Sequence, residues 1–202
     1  MFSFPKTDKG IRSRIASYKA SMQKERRAHG FISDDYGKRY LVFWLYLVLG
    51  DVKGASAYLR WYEKTFPDDV GEPVQKLCAA VLLHRAGKQR KAKYYLASLM
   101  LSNLYVIPEV LGEECENYKT RWLSNYAAAE YAEETPSEIR SAITDEDKTW
   151  IRELHESLEF RRYRQQFMDL HERLDKAKGY ENRAPLVRQV GSILNDLKTE
   201  CT

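Results

Sequence analysis

The chain has 202 residues, 44% of them hydrophobic and 31% charged, and its 33 Lys and Arg residues outnumber its 29 Asp and Glu residues to give a net charge of +4. This balance excludes collagen, intrinsic disorder and a membrane-embedded bundle. Glycine and proline are few, and alanine with leucine outnumbers valine with isoleucine, so the composition predicts an all-helical fold.

The N-terminal segment is strongly basic, with a net charge of +6 over residues 1–30 against −2 for the remainder. Ile11, Ile15, Tyr18 and Met22 recur at spacings of four, three and four, which predicts a basic amphipathic helix that ends at Gly30. Eleven acidic residues lie between Glu109 and Asp147, and we expect them to attract the basic segment.

Two similar helical pairs are predicted next. The first comprises residues 36–49 and 55–66 around a Gly50 turn, and the second comprises residues 74–85 and 90–103 around a Gly87 turn. Aligning the two halves with an offset of 37 residues places Gly50 on Gly87 and Ala55 on Ala92. Such a period is typical of a helical repeat.

The two halves resemble the tetratricopeptide repeat (TPR). Its unit has a turn glycine, a small residue early in the second helix and a closing proline, and the first half supplies these as Gly50, Ala55 and Pro67. The second half supplies Ala80, Gly87 and Ala92, but Leu104 stands where proline is expected. The resemblance covers residues 36–108 and implies a TPR-like core of two units.

The C-terminal part is predicted to be helical as well. We expect a packing helix over residues 118–131, a capping box at Thr135, and one long helix that starts at Thr144 and ends near Gly179. A final helix capped by Asn182 would fold back on the long helix as an antiparallel hairpin. A second apolar stripe of the long helix is the candidate surface for self-association as a homodimer, and it comprises Phe160, Tyr163, Phe167, Leu170 and Leu174.

No catalytic or metal-binding motif is recognisable in the sequence. His155 and His171 lie too far apart along one helix to share a metal ion, and Cys78 is expected to be a structural buried thiol. Three widely spaced cysteines indicate a reducing compartment, and the longest apolar run, ten residues over Tyr40 to Leu49, is shorter than the ~20 that span a bilayer. We therefore expect a soluble cytoplasmic protein that needs no metal or cofactor and binds no membrane.

The TPR resemblance implies that the first helix of each unit lines a concave, partner-binding groove. The implied lining residues are Tyr40, Trp44, Leu47, Val48, Leu77, Val81, His84 and Arg85. The lysine and asparagine that clamp a C-terminal carboxylate in co-chaperone members of the family are absent here. A groove this apolar needs a cover, which is either one of the chain's own terminal helices or the amphipathic helix of a partner protein.

Basic clusters supply an alternative, because nucleic acid binds lysine and arginine side chains gathered on one face. The candidate contacts are Arg12, Arg14, Lys19, Arg26, Arg27, Lys88, Arg90, Lys91 and Lys93.

The sequence thus predicts an all-α protein in three parts: a basic N-terminal helix over residues 1–35, two TPR-like pairs over 36–108, and a helical extension ending in a hairpin over 109–202. The expected function is that of a non-catalytic adaptor or chaperone that binds another protein. The alternative is a helical nucleic-acid-binding protein.

Overall fold

All regular secondary structure is helical in the computed structural model, which describes residues 2–34, 36–115, 118 and 127–201. Helix α1 spans Asp8–His29; Thr7 caps its start by accepting a hydrogen bond from the Gly10 N–H, and left-handed Gly30 ends it, as predicted. Its buried residues Ile11, Ile15 and Met22 belong to the predicted stripe. No helix within these ranges is long and apolar enough to cross a membrane.

Two consecutive helical pairs form the centre of the fold and give it a helical-repeat-like packing. The first pair is α2 (Lys38–Leu49) with α3 (Val52–Thr65), and the second is α4 (Pro73–Arg85) with α5 (Gln89–Met100). Gly50 and Gly87 occupy the predicted turns with positive φ angles of 68° and 72°, a conformation that costs other residues energy. The paired alanines Ala55 and Ala92 are buried, which allows neighbouring helices to approach closely.

Helix α4 lies at the centre of this arrangement. It packs against α2, α3 and α5, and every residue from Pro73 to Leu83 is buried. Helix α1 packs on α2, so it extends the series of helices at its N-terminal side.

Three short helices follow: α6 (Val106–Leu111), α7 (Ala129–Glu133) and α8 (Ser137–Ala142). Most of the helix predicted over residues 118–131 lies outside the described residues. The predicted capping box at Thr135 is wrong, because α8 starts at Ser137 without a side-chain cap and the Thr135 hydroxyl is buried without a hydrogen-bond partner.

The predicted long helix is two helices, α9 (Asp145–Glu156) and α10 (Leu158–Lys176), which contact each other. Thr144 and Asp147 form the capping box predicted at the start of α9. Ser157 interrupts the helix with an extended backbone (φ −60°, ψ 150°), and its hydroxyl caps α10 by accepting from the Phe160 N–H at 3.3 Å. This break occurs where the apolar stripe changes direction.

Helix α11 (Tyr180–Cys201) packs against both α10 and α5. It begins before Asn182, which lies in the first turn and donates to the Lys178 carbonyl instead of capping the helix. The stripe considered for self-association is buried inside a single chain: Phe160, Tyr163, Phe167, Leu170 and Leu174 are each at most 8% exposed. A second copy is therefore not required to cover it.

A matched pair of glycine substitutions tests the turn geometry. Gly87→Ala should lower the free energy of unfolding by about 1 kcal/mol, because alanine is strained at a positive φ although the site is open. Gly191→Ala, at an open helical position in α11, should raise it by ~0.5 kcal/mol. Chemical denaturation measures both; equal effects of the two substitutions would contradict the assigned turn.

Candidate functional site

The predicted groove residues lie on α2 and α4, and the structure covers them to different degrees. Leu47, Leu77 and Val81 are at most 1% exposed and belong to the core. The other five are half-buried and lie at the edge of the core: Tyr40, Trp44, Val48, His84 and Arg85. Trp44, His84 and Arg85 are each contacted by other segments of the same chain.

The α4 side of the groove is closed by the C-terminal helices. The His84 ring stacks on Trp150 of α9 with centroids 4.2 Å apart, and Arg85 donates hydrogen bonds to Asp147 and to the Ala142 carbonyl. Burial raises the pKa of Asp147, but hydrogen bonds from Arg85 and Thr144 outweigh it and hold that pKa below its ordinary value. This side is fixed by aromatic stacking and a partly buried ion pair.

On the α2 side, Trp44 is contacted by residues 2–5, a short segment without regular secondary structure that we call the strap. Helix α8 also packs on α2. The Phe2 ring meets Trp44 edge-on at 5.8 Å and Phe4 at 4.8 Å. Arg14 of α1 lies over the Phe2 ring at 5.8 Å and donates to the Ser3 carbonyl at 2.5 Å. That bond is the strap backbone's one hydrogen bond within the described residues, so two aromatic side chains provide most of its attachment.

A polar cluster flanks the groove at the start of α2. Asp34 accepts from the N–H groups of Lys38 and Arg39, while Arg39 pairs with Asp69 at 2.7 Å. The Tyr40 hydroxyl donates to Asp69, and burial together with this carboxylate raises the pKa of Tyr40 to about 12. The cluster fixes the loop before α4 against α2.

A second buried polar group occupies the first turn of α4, where the sequence predicts only an apolar helix. Glu72 accepts from the N–H groups of Val74 and Gln75, and burial raises its pKa to about 7. Burial lowers the pKa of Lys76 to about 8, and its ammonium donates to Ser102. The Gln75 side-chain amide is buried and has no hydrogen-bond partner among the residues that the structure describes.

These residues were missed because their signal is weak in the sequence. Gln75 and Lys76 are two polar residues inside an apolar run, and their burial depends on helices that come later in the chain. Burying a polar or charged side chain without a hydrogen-bond or ionic partner costs free energy. A cluster of such side chains therefore marks a place where the packing of the neighbouring helices is strongly constrained.

Several of the predicted nucleic-acid contacts are engaged within the chain. Lys91 pairs with Glu63 at 2.6 Å, Lys93 pairs with Glu159 at 2.6 Å, and Arg14 lies against the strap. The remaining candidate contacts are exposed or half-buried: Arg12, Lys19, Arg26, Arg27, Lys88 and Arg90.

The acidic stretch does not pair with α1 among the described residues. Its ion pairs join Glu109 to Arg140 and Glu113 to Arg152, at 2.7 and 2.8 Å. Asp147 pairs with Arg85 of α4. The expected ion pairs between the basic segment and this stretch are therefore not formed among the described residues.

The described part of the chain brings together no group of three His, Cys, Asp or Glu residues that could hold a metal ion. Cys78 is fully buried, which raises the pKa of its thiol well above the ordinary value, as expected of a structural cysteine. His155 is buried beside Arg164, and His171 packs on Phe167 about one turn earlier in α10.

In comparisons with known proteins, no protein-family model, no curated protein and no solved structure matches the chain.

The burial of His155 predicts a pH dependence of stability. Burial, and next the charge of Arg164, lower its pKa to about 4, so the folded protein holds the neutral ring while the unfolded chain takes up a proton near pH 6.5. Its contribution to stability is complete above pH 6.5 and is lost as the pH falls through 4.

We expect His155→Gln to reduce the loss of unfolding free energy between pH 7 and pH 5 by about 1 to 2 kcal/mol, measured by urea denaturation. His29→Gln, at an exposed position, is the control and should leave the pH dependence unchanged. An identical pH dependence in all three proteins would show that His155 is not held neutral.

Proposed function

We propose that the chain is a non-catalytic interaction protein, an adaptor or chaperone, whose TPR-like core binds a partner protein. The two helical pairs, their left-handed glycine turns and the buried alanines between them support the TPR-like interpretation. In such a core the surface of the first helix of each pair is the place for a partner, and here that surface centres on Trp44.

The observation that carries this proposal is the way in which Trp44 is covered. His84 and Arg85 of α4 contact α9 and the end of α8, whereas Trp44 of α2 is contacted by a segment without regular secondary structure that carries two phenylalanines separated by one residue. A segment with so few backbone hydrogen bonds can be exchanged without unfolding a helix. The strap thus indicates the chemistry that the Trp44 surface accepts, namely a Phe-x-Phe segment.

A partner would compete with the strap for this surface. Because the strap is tethered, its effective concentration is of the order of mM, and a partner must bind more tightly or make further contacts to displace it. Edge-on aromatic pairs contribute about 0.5 to 1.5 kcal/mol each beyond burial, so the strap is a weak occupant.

The nucleic-acid alternative has less support. Lys91 and Lys93 are neutralised by glutamates, and Tyr163, one of the aromatic residues available for stacking on a base, is buried. The exposed cations of α1, together with Lys88 and Arg90, are the candidate contacts that stay available.

The cytoplasmic location belongs to the same proposal. Cys78 and Cys115 are free thiols, which is typical of a reducing compartment.

A peptide supplied in trans tests the assignment of the Trp44 surface. In the full chain carrying Phe2→Ser and Phe4→Ser, an acetylated Phe-Ser-Phe-Pro-Lys peptide, which copies residues 2–6, should bind with a Kd of ~0.1 to 1 mM. NMR titration of the tryptophan indole signals measures the binding.

Two controls accompany this titration. The wild-type chain should bind the peptide at least ~10-fold more weakly because its own strap occupies the surface. A peptide with serine in place of both phenylalanines should not bind. If the substituted chain binds neither peptide, or both equally, Trp44 is ordinary core and the proposed surface is wrong.

A further inference from the structure

A trough runs between α1 and α3, on the side of the molecule where both helices pack on α2. It consists of two adjoining depressions with volumes of about 430 and 170 Å³, which share Lys19 and Gln23 of α1 as a common wall. Tyr46 lies in its floor, and Tyr58 and Trp61 of α3 form the opposite wall. The trough is separate from the strap and from the Trp44 surface.

The two walls run side by side in the same direction. Arg12 of α1 pairs with Asp51 at the start of α3, at 3.5 Å, and Lys19 faces the region from Ala57 to Trp61 further along α3. Arg12 and Lys19 are seven residues apart, about 10.5 Å along the helix axis.

Helix α3 repeats this spacing on its own side. Lys53 and Arg60 are exposed, lie about one turn before and after Ala57 on the same face, and are also seven residues apart. Arg12 and Lys19 line the trough, whereas Lys53 and Arg60 lie outside its lining, on the exposed surface of α3 beside Ala57. Both helices therefore carry cations with the same period along or beside the trough.

The charge of the trough is not neutralised within the described chain. Lys19, Lys53 and Arg60 make no ion pair there, and the one acidic side chain lining the two depressions, Asp51, is already paired with Arg12. The acidic stretch from Glu109 to Asp147, which is the obvious internal source of carboxylates, pairs with Arg85, Arg140 and Arg152.

We propose that this trough binds an acidic amphipathic helix of a partner protein. Carboxylates seven residues apart on a helix match the spacing of the cations, and apolar side chains between them would lie on Ala16, Leu49 and Trp61. The proposal goes beyond the assignment of the Trp44 surface and stands independently of it.

The aromatic residues favour a helix over a nucleic acid. Tyr46 and Tyr58 are only 5% and 2% exposed, and one face of Trp61 stacks on Tyr58 at 5.2 Å. A nucleic base needs an open ring face for stacking, and the two tyrosines in the trough do not offer one.

A designed peptide tests the proposal on the full chain. The probe is a fluorescent helix of about 20 residues with glutamates repeating every seven residues along two edges and leucines between them. We expect it to bind with a Kd of ~100 µM or tighter in low salt and more weakly as salt is added.

The variant Lys19→Glu with Arg60→Glu should weaken binding about tenfold or more, and a peptide with lysines in place of the glutamates should bind this variant better than it binds the wild type. Lys24→Glu is the matched control, because Lys24 is an exposed cation of the same helix that lines a different depression; it should change the affinity by less than about twofold. Phe2→Ser with Phe4→Ser should leave this binding unchanged, which separates the trough from the Trp44 surface.

Three results would overturn the proposal. The first is a peptide that does not bind the wild-type chain at a concentration of ~1 mM. The second is an equal loss of binding from the Lys19/Arg60 and Lys24 variants, which would indicate unspecific attraction to net charge. The third is a poly(dT) oligonucleotide of similar length that displaces the peptide and binds more tightly, which would assign the trough to nucleic acid.

Discussion

The complete burial of α4 is the constraint on which the rest of the structure depends. Every residue from Pro73 to Leu83 is buried, including Gln75 and Lys76, so neighbours must cover the helix on all sides. Helices α2, α3 and α5 supply most of this cover, and Trp150 of α9 reaches its C-terminal end at His84. Because burying a charged or amide side chain is costly, this arrangement tolerates little rearrangement around the first turn of α4.

The closure of the groove follows from the same constraint. A helix buried from Pro73 to Leu83 has no open face along that length, and the C-terminal helices add contacts only at its end, at His84 and Arg85. On the α2 half of the predicted groove Trp44 is less deeply buried, and there the strap contacts it. The internal cover considered from the sequence is thus present, but its N-terminal part is a segment without regular secondary structure and not a helix.

Local signals in the sequence were sufficient for most of the helices. The Gly50 and Gly87 turns, the Gly30 stop and the Thr144 capping box were all predictable, because each depends on residues within one or two turns of helix. The break at Ser157 was predictable only in part. The change in direction of the apolar stripe indicated either a kink or a change of neighbours, and the structure has a break at which Ser157 caps α10.

The candidate site depends on contacts between residues that are far apart in the sequence. The sequence alone did not predict these contacts. Nothing in a Phe-x-Phe segment before a helix predicts that it reaches Trp44, more than 40 residues further along the chain. The pairing of Arg85 with Asp147 and of Lys93 with Glu159 likewise depends on how the C-terminal helices pack. Counting charges alone therefore predicted an attraction between the basic segment and the acidic stretch. In the folded chain the acidic residues form ion pairs with other arginines instead.

The two proposed surfaces lie on either side of α2. This helix contributes Trp44 to the surface under the strap and Tyr46 to the trough. Helix α2 thus contributes to two surfaces. The strap occupies the Trp44 surface weakly, and no segment of the described residues occupies the trough. We propose that the protein functions by holding partner proteins around α2.

Site-specific photo-crosslinking in the native host tests this account most directly. A photoreactive amino acid is placed at Val48 beside Trp44, at Ala57 in the trough, and at the exposed Glu172 of α10 as the reference position. The account predicts discrete protein adducts, resistant to nuclease, from positions 48 and 57 and none from position 172. Equal adducts from all three positions, or adducts that nuclease removes, would contradict it.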